Sequence, residues 1–320
     1  MYFVSEQVAS QVVTMAEAIT CIEKVFRDYG QGRAQVFPVA MGHGPQKDSF
    51  FSMKAGLLQD QGAVGLKVGS YWPGNRSQGI PAHSSSTLLL DPQTGYARAL
   101  VGASHLTCLR TAAADAVAVA NLSRQDSTTL AIVGAGHQAW FELLVVREVR
   151  PIRKVFVINR SNQGAQAFSQ RITNELGLEA MVAEKEEALP QADIIITITA
   201  ARQALFAKDL VRPGTHISAM GADAAGKQEL DPKLVASASL FADVRAQSIS
   251  VGEYEQAFTS GLITEEQITT LGAVLTESLG RKTDQEITIF DSSGMALQDI
   301  AICSLALEKA LAQGLTGDSK

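Results

Sequence analysis

The sequence predicts an α/β protein in which a Rossmann-type doubly wound parallel sheet is joined to a second, α+β domain. Residues 129–139 run from an apolar strand through a glycine turn into a helical pattern, as in dinucleotide-binding turns. From residue 129 onward, predicted strands and helices alternate, which is typical of a parallel sheet with right-handed crossovers. Before residue 104, short strands separated by turns indicate an antiparallel block instead.

Composition narrows the class of protein. The 320 residues are 46% hydrophobic and 19% charged, which is enough apolar material for two cores. A net charge of −6 argues against a nucleic-acid partner, which needs a basic face. No apolar run approaches the roughly 18 residues of a membrane span, and the N-terminus lacks the basic and apolar regions of a signal peptide. The three widely spaced cysteines favour the cytoplasm, without disulfides or a metal site.

The first hundred residues are predicted to form a helix and several strands. Apolar residues recur at helical spacing over residues 5–30. Strands are predicted at residues 49–57, 62–71, 84–91 and about 96–102, with a hairpin-type turn at 91–95. An alanine-rich helix is predicted over residues 104–123, because alanine is the strongest helix former and permits close packing.

The remaining elements follow a strand–helix rhythm. Strands are predicted near residues 129–133, 154–159, 193–199, 215–220, 239–243 and 286–290. Helices are predicted near residues 137–149, 162–176, 206–211 and 231–236. A last helix, apolar on one face, is predicted over residues 295–313 and returns to the first domain, and residues 317–320 are predicted to be frayed.

The glycine turn carries the strongest functional signal. Gly134 lets the chain turn sharply, and Gly136 leaves no side chain between the backbone and a bound pyrophosphate. Ala139 lets the following helix lie close to the strand, and the N-terminus of that helix directs N–H groups at the phosphates. The alternative is an ordinary glycine-rich turn.

The end of the second strand of this domain bears on cofactor choice. An acidic residue there would bind the adenosine ribose and favour NAD, but the sequence is Asn159-Arg160-Ser161. Arg160 and Ser161 suit the 2′-phosphate of NADP. The alternative is an exposed arginine, with NAD still accepted.

Three charged residues are candidates for chemistry. Lys67 lies in a strand with apolar neighbours, where it either reaches solvent or binds a carboxylate in a cleft. Arg110 lies in the alanine-rich helix and forms either a surface salt bridge or a bidentate clamp on an α-carboxylate. Asp223 follows a predicted parallel strand at the ligand-binding edge, so it is either an acid/base group for an amine or a capping or turn residue.

Other polar residues have weaker claims. Ser293 follows the strand that ends near Phe290, and this segment can touch a nicotinamide or close the cleft. His83 follows a turn and is a candidate for the substrate site, and His137 lies in the glycine turn. His105 and His216 are predicted to be structural.

Taken together, these residues resemble the ornithine cyclodeaminase/mu-crystallin family. The matching segments occur in family order over nearly the whole chain. They are Gly65-Leu-Lys67, Asp91-Pro-Gln-Thr-Gly95, Leu106-Thr-Cys-Leu-Arg110-Thr111-Ala-Ala, Val133-Gly-Ala-Gly-His-Gln-Ala139, Gly221-Ala-Asp223-Ala-Ala-Gly-Lys-Gln-Glu-Leu230 and Phe290-Asp-Ser-Ser-Gly-Met-Ala-Leu-Gln-Asp299.

The resemblance implies a homodimer with its active site between two domains. Residues 1–118, completed by the C-terminal helix at 296–320, would bind substrate and dimerise, and residues 119–295 would form the Rossmann domain. By the family pattern, Lys67 and Arg110 hold the substrate carboxylate and Asp223 is the acid/base or amine-orienting group. The implied cofactor-binding residues are Gly134, Gly136, His137, Gln138, Asn159, Arg160, Ser161, Thr111 and Ser293.

Three departures from the family pattern argue against ornithine cyclisation as the activity of this chain. The arginine that often follows the proline near position 38 is missing, because the segment reads Phe37-Pro-Val-Ala40. The cyclodeaminases carry Asp-Cys-Pro-Gly where this chain has Asp223-Ala-Ala-Gly226, and they tend to have an acidic residue near position 159. Lys54, Arg76 and His83 are the candidates for replacement cationic contacts, which would suit a substrate with a second carboxylate.

The predicted function is therefore the NAD(P)H-dependent reduction of a 2-imino acid to an L-amino acid. Candidate substrates are iminosuccinate, which gives aspartate, and the cyclic imines pyrroline-2-carboxylate and piperideine-2-carboxylate. Positioning of the imine carbon for the hydride would supply much of the catalysis. The alternatives are ornithine or lysine cyclodeamination, an alanine-type amino-acid dehydrogenase, and a mu-crystallin-like binding protein without turnover.

Overall fold

The computed structural model describes residues 1–318, with the side chains of all of them except Arg76 and Asp318. The strands are β1 (Tyr2–Val4), β2 (Ala34–Val36), β3 (Ala40–His43), β4 (Phe50–Leu58), β5 (Ala63–Tyr71), β6 (His83–Leu90), β7 (Ala97–Gly102), β8 (Thr129–Val133), β9 (Lys154–Ile158), β10 (Glu179–Val182), β11 (Ile194–Thr197), β12 (Arg202–Phe206), β13 (His216–Ala219), β14 (Gln228–Leu230), β15 (Ser239–Ala242), β16 (Ile268–Thr270), β17 (Thr288–Asp291) and β18 (Gly317–Asp318).

Helices occur before and after β8, and from β8 onward most strands are followed by an α-helix. They are α1 (Glu6–Val12), α2 (Met15–Gly30), α3 (Ser104–Leu122), α4 (His137–Val149), α5 (Asn162–Leu176), α6 (Lys185–Ala188), α7 (Pro232–Val235), α8 (Arg245–Ser248), α9 (Glu255–Thr259), α10 (Leu271–Glu277) and α11 (Ala296–Ala312). In residues 1–318, no helix combines the length and the apolar character that a membrane crossing would require.

The chain divides into two compact units. Unit 1 comprises Met1–Arg110 and Met295–Lys320, and unit 2 comprises Thr111–Gly294. The division falls inside α3, at residue 110 rather than at the predicted residue 118. The C-terminal helix α11 belongs to unit 1, although unit 2 separates it in the sequence from the rest of that unit.

Unit 1 is built on one sheet with strand order β18-β1-β7-β6-β5-β4-β2, with β3 also paired to β4. All its pairs are antiparallel except β1 with β7. Helix α11 packs on this sheet and against α1 and α2. Gly56 on β4 permits the close approach, because a Cβ at that position would lie 2.8 Å from Leu297 Cδ2.

Unit 2 contains a parallel sheet with strand order β10-β9-β8-β11-β13-β17-β15-β16. Its core is a cluster of buried aliphatic and aromatic side chains that includes Ile195, Ile217 and Ile289. The chain proceeds from β8 outward to β9 and β10, then returns to place β11 on the other side of β8. This reversal is the switch point of a doubly wound sheet, where ligands bind at the carboxyl ends of the strands.

The observed elements correct four sequence-based predictions. The helical region at 5–30 is two helices, because Thr14 caps the second one in a capping box with Glu17. The helix predicted at 206–211 is instead the end of β12 and a short 3₁₀ turn at Lys208–Leu210. Part of the segment predicted to be frayed forms β18, which pairs with β1, while residues 319 and 320 lie outside the described residues. The first block also contains a parallel pair, which local patterns do not reveal.

Candidate active site

Lys67 lies on the face of the unit 1 sheet that α11 covers. Across the strands, Lys67 pairs in register with Lys54 on β4 and with Thr87 on β6. Side chains directly opposite each other on neighbouring strands share a face, so the two lysines are neighbours on this surface. His83 lies on the same face of β6 as Thr87 because residues alternate along a strand, and its ring centroid is 4.6 Å from that of Tyr71.

Lys67 and Arg110 both bind one buried carboxylate. Lys67 Nζ donates to Asp299 Oδ1 at 3.0 Å, and Arg110 Nε donates to the same oxygen at 2.9 Å. Arg110 Nη1 also donates to Gln298 Oε1 at 3.1 Å. The three ionic side chains come from β5, α3 and α11, and each is less than a tenth exposed. We call Lys54, Lys67, Arg110 and Asp299 the cationic cluster.

The pKa values within the cluster reflect its burial and its excess of positive charge. Burial, aided by the charges of Arg110 and Lys54, lowers the pKa of Lys67 to about 8 in spite of the opposing charge of Asp299. Burial alone would raise the pKa of Asp299, but Arg110 and Lys67 outweigh it, so its pKa is lowered. Three cations therefore surround one ionised carboxylate, and this arrangement suits a further anion.

Asp299 was not predicted as a site residue. The signal was available, because Gln298 and Asp299 are adjacent polar residues in an otherwise apolar helix segment, and such residues are seldom buried without partners. Two atoms of this pair, Gln298 Nε2 and Asp299 Oδ2, are buried and find no hydrogen-bond partner among the described residues. They leave hydrogen-bonding capacity at the cluster for a bound molecule.

The three other residues predicted to contact the substrate, Lys54, His83 and Arg76, all lie in unit 1. Lys54 is half-buried within the cluster, and His83 is exposed. Arg76 lies in the 3₁₀ turn at Pro73–Gln78, and its side chain lies outside the described residues. Unit 1 therefore brings Lys54, Lys67 and Arg110 together, with His83 on the same sheet face. Their roles at a substrate stay a prediction.

The glycine turn of unit 2 follows β8 at the switch point. Gly134 has a φ of +114°, and a Cβ there would lie 2.5 Å from the carbonyl oxygen of Ile198. Gly136 is the N-cap of α4, where a Cβ would meet open space, and among the described residues no side chain caps this helix. The first N–H groups of α4 are thus available for a phosphate, so the turn fits a dinucleotide.

The first turn of α4 also carries the two other residues predicted at the pyrophosphate. Gln138 Nε2 donates to Glu142 Oε1 at 2.7 Å. The His137 ring packs edge-on against Phe141, with ring centroids 5.2 Å apart. Both side chains are therefore held by residues one turn further along the same helix.

At the end of β9, Asn159 and Ser161 shape the turn into α5. Asn159 Nδ2 donates to the carbonyl oxygen of Ser161 at 3.1 Å, and Ser161 Oγ accepts from Gly164 N at 3.2 Å as the cap of α5. Arg160 is exposed. An exposed guanidinium beside a helix N-terminus is a suitable arrangement for binding a phosphate group.

Asp223 lies in the turn that follows β13 in unit 2. Its side chain is 60% exposed and forms an ion pair with Lys227, whose Nζ also donates to the carbonyl oxygen of Gly221 at 3.3 Å. Asp223 is thus at the predicted edge of the sheet and does not cap a helix. Its acid/base role stays a prediction.

Ser293 and Thr111, the last two predicted cofactor residues, differ in surroundings. Ser293 is buried, and its Oγ donates to Asp243 Oδ1 at 3.3 Å. The neighbouring Gly294 N donates to Asp243 Oδ2 at 2.6 Å. Asp243 therefore fixes the segment after β17, while Thr111 is half-buried on α3.

The chain is similar to several known proteins along nearly its whole length. The sequence model of the "Ornithine cyclodeaminase/mu-crystallin family" matches residues 2–314. The chain is 38% identical to the iminosuccinate reductase of Paracoccus denitrificans (strain Pd 1222), and the alignment covers 98% of each chain. The structure of Thermococcus litoralis Δ1-pyrroline-2-carboxylate reductase in complex with NADH and L-proline superposes with a TM-score of 0.94, at 32% identity over 99% of this chain and 100% of the other. An archaeal alanine dehydrogenase dimer with bound NAD gives the same TM-score and identity over 100% and 99% of the two chains.

Proposed function

The chain belongs to the ornithine cyclodeaminase/mu-crystallin family, and from this premise we propose that it reduces a 2-imino acid to an L-amino acid with a nicotinamide cofactor. The relatives named above act on an imino or amino acid, which agrees with the proposal. The observation that carries it is the cationic cluster, in which buried cations outnumber the single carboxylate Asp299.

In this proposal, Lys67 and Arg110 bind the α-carboxylate of the substrate. Each keeps a bond to Asp299 Oδ1, so the two cationic groups are fixed before substrate arrives and lose little freedom on binding. Gln298 accepts from Arg110 and limits rotation of its guanidinium group. A fixed carboxylate in turn fixes the adjacent imine carbon, and this positioning supplies much of the rate enhancement of the hydride transfer.

The fit of the glycine turn supports a dinucleotide cofactor, which when bound supplies the hydride that the imine carbon accepts. Gly136 and the uncapped N-terminus of α4 receive its pyrophosphate. Arg160 receives a 2′-phosphate, so we expect NADPH to be used as well as NADH. Asp223, held by Lys227, is the group that exchanges a proton with the substrate nitrogen.

The substrate that we favour is a dicarboxylate, iminosuccinate. Lys54 is directly opposite Lys67 on the neighbouring strand, and its charge contributes to the lowered pKa values of both Lys67 and Asp299. Lys54 is therefore close enough to contact a second carboxylate of a substrate whose first carboxylate lies on Lys67 and Arg110. His83 lies on the same sheet face.

We also propose that the protein is a cytoplasmic homodimer. Cys21 and Cys303 are free thiols, as is usual in a reducing compartment. The archaeal alanine dehydrogenase with which the chain superposes is a dimer.

The test is whether the purified protein oxidises NADH or NADPH in the presence of a candidate substrate. We expect NADH or NADPH to be oxidised with oxaloacetate plus ammonia but not with oxaloacetate alone. The variant Lys54→Met should lower kcat/KM for iminosuccinate about tenfold or more, and should change it little for pyrroline-2-carboxylate, because only the dicarboxylate loses a charged contact.

The matched control is Lys24→Met, which removes an exposed lysine from α2 of the same unit and should leave both substrates unaffected. Oxidation with only the cyclic imines would keep the reductase and reject the dicarboxylate. Ammonia release from ornithine or lysine with NAD, without any imine reduction, would replace the proposal by cyclodeamination.

A further inference from the structure

One buried carboxylate lies between two turns at the carboxyl end of the unit 2 sheet. Glu229 on β14 is 0% exposed. Its Oε1 accepts from the backbone N of Thr199 at 2.7 Å and from Thr199 Oγ1 at 2.6 Å, and its Oε2 accepts from the backbone N of Gly221 at 3.0 Å. Thr199 follows β11 and Gly221 follows β13, which are neighbouring parallel strands. One side chain therefore joins two adjacent turns through three hydrogen bonds.

The turn at Thr199 also contacts the glycine turn. Strand β8 pairs with the other edge of β11, and Gly134 follows β8. A Cβ on Gly134 would lie 2.5 Å from the carbonyl oxygen of Ile198 and 3.2 Å from Thr199 Cγ2, so the two turns are in close contact. The backbone around Thr199 therefore limits where the glycine turn, and with it a bound pyrophosphate, can lie.

The turn at Gly221 carries Asp223. Gly221 N donates to Glu229, and the carbonyl oxygen of Gly221 accepts from Lys227 Nζ at 3.3 Å. Lys227 in turn forms the ion pair with Asp223. The fit is close, because a Cβ on Gly221 would lie 2.5 Å from Glu229 Cδ and would overlap the carbonyl oxygen of Thr199. The position of Asp223 relative to the glycine turn is thus linked to the carboxylate of Glu229.

The backbone of Glu229 is itself fixed. Glu229 N and Leu230 N donate to Glu253 Oε1 at 2.9 Å and 2.6 Å, and Glu253 N donates to Asp291 Oδ1 at 3.1 Å. The strand that carries Glu229, β14, pairs with β12. A carboxylate on a fixed backbone, with both oxygens bonded, has the rigidity that a group needs in order to position others.

We propose that Glu229 is a positioning residue that sets the turn carrying Asp223 relative to the glycine turn, and so sets the proton-exchanging group relative to the cofactor. Both oxygens of Glu229 are bonded to the turns, so it acts through them rather than on the substrate. The inference rests on the proposed function, in which Asp223 exchanges a proton with the substrate nitrogen. Displacing a reacting group by about 1 Å can cost about a hundredfold in rate.

The experiment measures imino-acid reduction by Glu229→Gln at saturating NADH. Glutamine has one acceptor oxygen, so it cannot accept from both turns at once, whichever backbone N–H keeps its bond. We expect kcat, counted per NADH-binding site by fluorescence titration, to fall about tenfold or more. The KM for the imino acid should change by less than about twofold, because Lys67 and Arg110, which hold the substrate carboxylate in the proposal, belong to unit 1.

Two substitutions of Thr199 decide the matter if Glu229→Gln fails to fold. Thr199→Val removes the hydroxyl group that donates to Glu229 and accepts from Ala201 N, and it keeps a similar shape. Thr199→Ser is the matched variant, because it keeps the hydroxyl group. We expect kcat per NADH-binding site to fall about fivefold in Thr199→Val, as for one lost hydrogen bond, and to change little in Thr199→Ser.

The control is Glu187→Gln, which removes a carboxylate from an exposed position of α6 in the same unit and should change neither kcat nor KM. A kcat per NADH-binding site equal to that of the unmodified protein in the folded variants would show that Glu229 only stabilises the fold, and would overturn this inference alone. A rise in KM at unchanged kcat would overturn it too. An unmodified protein that binds NADH but reduces no imino acid would overturn the proposed function as well.

Discussion

The two units bury ionisable groups in different ways. In unit 1, Lys67 and Arg110 share Asp299, so opposite charges compensate one another and all three side chains can stay ionised. In unit 2, Asp193 is also compensated by Arg124 and Arg212, but several other buried carboxyl groups lie near carboxyl groups. Glu229 contributes to the raised pKa of Glu253, and Asp243 and Glu253 contribute to the raised pKa of Asp291.

The carboxyl groups at the carboxyl end of the unit 2 sheet depend on backbone N–H groups rather than on cations. Glu229 accepts from Thr199 N and Gly221 N, and Glu253 accepts from Leu230 N. Burial and the charge of Glu229 raise the pKa of Glu253 to about 8. The comparison teaches that unit 1 is arranged to receive a further anion, whereas these groups of unit 2 reduce their charge by keeping protons.

The largest expected effect comes from removing the one anion of the cationic cluster. Asp299→Asn leaves Lys67 and Arg110 buried without a counter-ion, so the free energy of unfolding should fall by about 3–5 kcal/mol. Glu253 keeps its proton at neutral pH because its pKa is raised to about 8, so Glu253→Gln removes no charge there and should cost only about 1 kcal/mol, through an imperfect hydrogen bond. Urea unfolding of both variants measures the difference.

The free energy of unfolding of each variant is compared with that of the unmodified protein, in the same buffer at neutral pH. Equal losses of stability in Asp299→Asn and Glu253→Gln would contradict this difference between the two units. They would mean that both units depend equally on their buried carboxyl groups.

A smaller effect concerns the pH dependence of Lys67. Its pKa is lowered to about 8 in the folded protein, so above that pH it loses its charge and the KM for the imino acid should rise. The unfolded chain keeps this proton up to about pH 10.4. The contribution of Lys67 to the free energy of unfolding should therefore increase between these two pH values.

Lys67→Arg separates this effect from titration of the substrate. Arginine stays charged over the whole range, so the ratio of KM in the unmodified enzyme to KM in the variant should rise with pH. A constant ratio would show that the charge of residue 67 does not titrate in this range, and would contradict the prediction.

The smallest effect is expected at the cofactor end of unit 2, where Arg160 is exposed. Arg160→Ala should lower kcat/KM for NADPH about tenfold through the loss of a charged contact, with little change for NADH. Arg153→Ala at the opposite end of β9 is the matched control, since it is also exposed. An equal loss with both cofactors would place Arg160 outside the 2′-phosphate site.

The sequence predicts best where local signals agree. Residues 129–133, 137–149 and 162–176 have the bounds predicted for β8, α4 and α5, because a glycine turn or a capping serine punctuates regular apolar patterns. The edge strand β10 was not predicted, since its partly exposed residues lack a strong pattern. The polar pair Gln298–Asp299 in an apolar helix was a signal for a buried site residue, but the partners of Asp299 lie 232 and 189 residues away along the chain, and only tertiary structure identifies them.

The position of α11 in the sequence has a consequence for synthesis on the ribosome. Unit 2 is one continuous stretch that is synthesised before the last helix, whereas unit 1 needs both ends of the chain. Until α11 arrives, the nascent chain carries Lys67 and Arg110 without Asp299, and one face of the unit 1 sheet is uncovered. Translation that stops before residue 296 therefore leaves a protein with an intact dinucleotide turn and an unfinished substrate site.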